Sequence, residues 1–83
     1  MSDTSGMTPY DRGLVAGDAW AKESTFPDQV NQVAEEGPGA IVLEYVYYSD
    51  PELARRLQDD PEAAEAFSEG FMHGVRAFLA EQR

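Results

Sequence analysis

The 83-residue chain has no cysteine. That excludes disulfide bonds, thiolate nucleophiles and cysteine-ligated metals, while leaving the redox compartment open. It has one histidine and one lysine, His73 and Lys22, and its six Lys and Arg face sixteen Asp and Glu, for a formal net charge of −10. Binding to DNA or RNA requires Lys and Arg to neutralise phosphates, so no direct nucleic-acid partner is expected. An anionic membrane surface is disfavoured for the same reason. Long apolar runs are also missing. The longest, Ala40–Tyr48, is interrupted by Glu44 and is far short of the roughly 20 residues needed to span a bilayer. The first residues, Met1-Ser2-Asp3-Thr4-Ser5-Gly6, lack the basic and apolar regions of a secretory leader. A cytoplasmic location is therefore expected.

Catalytic and cofactor signatures are equally scarce. Gly13 to Gly17 lacks the Gly-Lys-Ser/Thr ending of a phosphate loop, and Gly37-Pro38-Gly39 is no dinucleotide fingerprint. The acidic stretch from Asp59 to Gly70 has Pro61 at the third position and no glycine at the sixth, so it is not a calcium loop. One histidine gives little scope for pairing a serine nucleophile with a base. Neither an enzyme nor a cofactor is expected. Glu65, Glu69 and His73 fall on one helical edge at i, i+4 and i+8, which makes a small metal-binding helical protein one alternative. Carboxylate metal sites in bundles normally draw Glu-x-x-His motifs from facing helices, however. The plainer expectation is a solvated face with a Glu69–His73 pair.

What is present is helix punctuation. Residues 1–7 read as a flexible tail and residues 8–83 as one helical domain. Thr8 can cap, Pro9 suits the first helical position and Asp11 favours the positive helix end, so a helix is predicted from Pro9 to Lys22 or Glu23. Tyr10, Gly13, Leu14, Gly17, Trp20 and Ala21 then share one face. Ser24-Thr25-Phe26-Pro27 breaks the chain before a short helix to about Glu36, with Val30, Val33 and Ala34 inward and Phe26 beneath. Gly37-Pro38-Gly39 ends it. Asp50-Pro51-Glu52 and Asp60-Pro61-Glu62 each combine a cap, a first-position proline and a first-turn acid. They open a short helix carrying Leu53, Ala54 and Leu57, and a long one reaching about Glu81. In the long helix the apolar arc is Ala63, Ala66, Phe67, Gly70, Phe71, Gly74, Ala77 and Phe78, opposite Glu62, Glu65, Glu69, His73 and Arg76.

Ala40–Tyr48 is ambiguous. Its β-branched and aromatic residues favour a strand, yet the chain has no second strand-like run to pair with it. A helix is favoured, with a strand pairing between subunits as the alternative. The expected fold is a small all-α bundle of about four to five helices.

An internal echo links the first and last helices. Tyr10-x-x-Gly13-Leu14-Val15-x-Gly17 recurs 57 residues later as Phe67-x-x-Gly70-Phe71-Met72-x-Gly74. A glycine inside a helix costs about 0.5–1 kcal/mol relative to alanine, so four on apolar faces need compensation. Small residues four apart let another backbone approach closely. Gly13, Gly17, Gly70 and Gly74 are thus expected at a close helix crossing, between these two helices or between either and a symmetry mate.

Function is read from surface chemistry. Tyr45, Tyr47 and Tyr48 are too closely spaced to be buried together, and tyrosine is enriched at interfaces. Asp59, Asp60, Glu62 and Glu65 belong to a charge cluster running from Asp50 to Glu69. The leading expectation is a non-catalytic interaction or regulatory module that associates with itself and binds another, basic protein. The alternative is an acidic nucleic-acid mimic inhibiting a basic DNA- or RNA-binding protein. The plain reading of the acidity alone is solubility or a high-salt host.

Overall fold

The computed structural model describes residues 8–24 and 27–82. The expected tail at 1–7 and the packing expected of Phe26 lie outside the described residues. Five helices follow in order: α1 (Pro9–Glu23), α2 (Pro27–Glu36), α3 (Ala40–Ser49), α4 (Pro51–Asp59) and α5 (Pro61–Glu81). The fold is all-α, and among the described residues there is no strand. The alternative of an intersubunit strand over Ala40–Tyr48 is therefore corrected: the segment is helical. The glycines before it and the Asp-Pro after it isolate a ten-residue segment whose apolar side chains find a partner surface within the same chain, which outweighs their β propensity.

Local chemistry sets the boundaries. Thr8 and Asp11 form a reciprocal capping box: the Asp11 amide donates to Thr8 Oγ1 at 3.1 Å, and the Thr8 amide donates to the Asp11 carboxylate at 3.3 Å. Gly37 closes α2 at φ 96°, a left-handed conformation costly for other residues, with its amide donating to the Val33 carbonyl at 2.9 Å. Asp50 and Asp60 each join two helices in a single residue. The Asp50 amide closes α3 on the Val46 carbonyl at 2.7 Å while its carboxylate accepts from the Leu53 amide at 3.2 Å. The Asp60 amide bonds the Arg56 carbonyl at 3.1 Å, and its carboxylate accepts from the Glu62 and Ala63 amides, both at 3.2 Å. Each such cap contributes about 1 kcal/mol.

The core gathers around Phe67, Phe71, Val33, Val46 and Val75, its largest fully buried side chains. The most extensive packing joins α1 to α5; α2 and α4 also pack on α5, and α3 packs on α4. On α3 the buried stripe is Val42 and Val46, while Ile41 and Tyr45 are half-buried. One sequence assignment on α5 is corrected. Ala77, drawn on the apolar arc, is exposed, and Val75 is fully buried instead. Arg76, placed on the solvated arc, is exposed there, and it also donates from Nε to the Ala34 carbonyl at 2.7 Å, satisfying an acceptor in the last turn of α2. No helix among the described residues is long and apolar enough to cross a membrane.

Candidate functional site

Gly13, Gly17, Gly70 and Gly74 are all buried where α1 meets α5. A Cβ added at Gly13 would strike the Phe67 carbonyl, with its carbon 2.9 Å away; at Gly17 it would strike the Phe71 carbonyl, with its carbon at 2.8 Å. At Gly70 the obstacle is the Tyr10 carbonyl, with the Leu14 amide nitrogen at 3.0 Å, and at Gly74 the Leu14 carbonyl, with the Asp18 nitrogen at 3.0 Å. These obstacles are backbone atoms, which cannot rotate away. The two helices approach so closely because no side chain separates them.

The register of these contacts is ordered. Residue numbers rise together on the two helices, so α1 and α5 run parallel. Gly13 faces Phe67 as Gly70 faces Tyr10, and Gly17 faces Phe71 as Gly74 faces Leu14. A shift of 57 residues converts each contact into its counterpart, so the sequence echo is a local pseudo-two-fold axis between the helices. The contact is isologous, as in a symmetric dimer, but lies within one chain. The glycines offered by the sequence for packing against a symmetry mate are thus occupied internally.

The symmetry is broken at the ends of this seam. Tyr10 Oη and His73 Nδ1 lie 2.6 Å apart and half-buried, with the rings edge to face. His73 is therefore not on a fully solvated face, and its ring bonds across the helix pair to Tyr10. Among the described residues no three His, Asp or Glu side chains gather into a set able to hold a metal, so Glu65, Glu69 and His73 do not form one. Toward the other end Phe71, with 0% exposure, braces Trp20 at a centroid distance of 5.6 Å and Tyr45 at 6.0 Å. Burial, and secondarily the charge of Glu23, raise the pKa of the Tyr45 phenol above its ordinary value.

The three tyrosines separate. Tyr45 is half-buried, whereas Tyr47 and Tyr48 are 59% and 83% exposed. The last two stack edge to face at 5.5 Å on the outer side of α3. Glu44 and Tyr48 form a ridge between two concavities. One, of about 450 Å³, is lined by Trp20, Gln29, Ile41, Tyr45 and Ser49 as well. The other, of about 230 Å³, is completed by Tyr47, Ala54 and Gln58. Sequence reasoning missed the larger groove because it depends on Phe71 placing Trp20 beside α3; the shared aromatic character of these residues was the only signal.

The acidic candidates Asp59, Asp60, Glu62 and Glu65 are all exposed around the α4–α5 junction. Asp60 is engaged in capping α5, as described above. Comparison with known proteins adds no relative: no family model, no curated protein and no solved structure matches this chain.

Proposed function

We propose that the protein is a non-catalytic interaction module that docks a basic protein partner through the outer face of α3. The observation that carries this reading is the exposure of Tyr47 and Tyr48 as a stacked aromatic pair beside concave surface. Aromatic side chains anchor interfaces because they bury much area at little entropic cost. The net charge of −10 steers a basic partner toward the surface and raises its association rate. Self-association competes for the same face. It is disfavoured at low salt by repulsion between two like-charged copies and favoured when salt screens that repulsion.

The acidic-mimic reading keeps one supporting observation, the exposure of Asp59, Glu62 and Glu65 together. It is weakened by Asp60, whose carboxylate is committed to two backbone amides. The deciding experiment measures affinity for a partner captured from the native host, at low and high salt, with two variant sets. Replacing Tyr47 and Tyr48 with alanine is expected to cost about 2 kcal/mol or more, the scale of interface hot spots. Changing Asp59, Asp60, Glu62 and Glu65 to their amides is expected to alter mainly the association rate. Steep salt dependence with indifferent tyrosines would establish the mimic in its place.

A further inference from the structure

We infer that the groove between Trp20 and α3 receives an arginine side chain from the partner. This inference rests on the docking function proposed above and specifies what the groove beside that face recognises.

Three features of the groove converge on a planar cation. The first is its walls. Trp20 and Tyr45 both line it, and both rings pack against the buried ring of Phe71. Such walls are set before a ligand arrives, so little entropy is lost in arranging them. Trp and Tyr faces attract cations through their quadrupoles, and a guanidinium can also stack on them as a plane.

The second feature is charge. Glu44 lines the groove and is exposed, and it takes no part in the ion pair found among the described residues, which joins Lys22 to Asp18. Glu23, at the end of α1, is close enough to influence the Tyr45 phenol. Trp20 itself lies in the last turn of α1, where unsatisfied carbonyls favour a positive charge. None of the groove's lining residues is basic.

The third feature is shape. Ile41, Glu44, Tyr45, Tyr48 and Ser49 line the groove along the full length of α3, a span of about 12 Å at the α-helical rise. Such a trough can hold the aliphatic stem of an arginine against Ile41 and its guanidinium beside the aromatic rings and Glu44. Tyr48, shared with the neighbouring concavity, connects this subsite to the tyrosine pair.

Trp20 is the only tryptophan, so its fluorescence reports on the groove directly. The probe is the blocked peptide Gly-Arg-Gly-Arg-Gly, with an analogue carrying uncharged citrulline at both arginine positions, titrated into the full chain. The expected result is a saturable Trp20 response to the arginine peptide and none to the citrulline peptide. Glu44→Gln, which removes a charge-assisted contact, should weaken binding about fivefold or more. Tyr48→Ala should weaken it about threefold or more through lost cation–π contact. Glu62→Gln removes the same charge outside the groove and should change affinity by less than about twofold, because a distant exposed charge is screened. Equal weakening by Glu44→Gln and Glu62→Gln would overturn the inference by reducing the attraction to net charge. A non-saturating response, or equal binding of the citrulline peptide, would also overturn it. If the partner's affinity still fell with Tyr47→Ala, the docking function would stand without the arginine subsite.

Discussion

Along α1 and α5, backbone lies against backbone with four buried glycines between them; along the outer side of α3, two tyrosine rings face solvent. The contrast shows how a short chain divides its tasks. At the seam, the small residues that weaken each isolated helix permit backbone to lie directly against backbone. On α3, large residues that could have filled a core remain outside, while Val42 and Val46 do the packing. The seam is consequently intolerant of added atoms and the α3 face is tolerant of their removal.

The largest expected effect lies in the seam. Gly70→Leu forces a side chain against the Tyr10 carbonyl and should destabilise by about 3 kcal/mol or more. For a domain of this size that is a fall in melting temperature of at least about 12 °C, measurable by circular dichroism. Unchanged melting would mean that the helices can separate freely, and the contrast with α3 would disappear.

The next effect sharpens the seam's boundary. A double-mutant cycle with Tyr10→Phe and His73→Ala should return a coupling of about 0.5–1.5 kcal/mol, the net value of a partly buried hydrogen bond. Thermal or denaturant unfolding of the four proteins would give it. A coupling near zero would show that the 2.6 Å contact contributes nothing beyond ring packing.

The smallest expected effect on stability comes from α3. Tyr47→Ala and Tyr48→Ala should each leave unfolding free energy within about 0.5 kcal/mol of the starting protein, as exposed positions generally do. A larger loss would make these rings part of the fold and remove the reason for assigning them to a partner.

Much of the fold was legible because its helix boundaries are written in local chemistry. Thr8-Pro9, Asp50-Pro51 and Asp60-Pro61 start helices where capping requires them, and Gly37 stops one by taking a positive φ. The repeated glycine spacing also identified the residues that meet at the seam. What periodicity did not supply was orientation. Choosing the buried side of α3 required knowing which neighbour it meets, because Ile41, Tyr45 and Tyr48 form as plausible an apolar stripe as Val42 and Val46. Val75 and Ala77 were misjudged for a related reason. The parallel α1 covers only part of α5, and α2 and α4 pack on further parts of it, so the buried surface of α5 is wider than a single arc and is centred differently. The reach of Arg76 to the Ala34 carbonyl and the bracing of Trp20 by Phe71 depend on distant parts of the chain, and no local pattern encodes them.

The sharpest test of this division is the sign of one change in melting temperature. At Gly17, helix propensity and seam geometry make opposite forecasts. Alanine is the better helix former and would raise stability by about 0.5–1 kcal/mol at a free helix surface. In the seam its methyl meets the Phe71 carbonyl, with the carbonyl carbon 2.8 Å away, and the helices must part. The melting temperature of Gly17→Ala is predicted to fall by several degrees, about 4–8 °C for each kcal/mol lost. A rise would contradict the backbone-on-backbone seam and, with it, the separation of a folding surface on α1 and α5 from the binding surface proposed on α3.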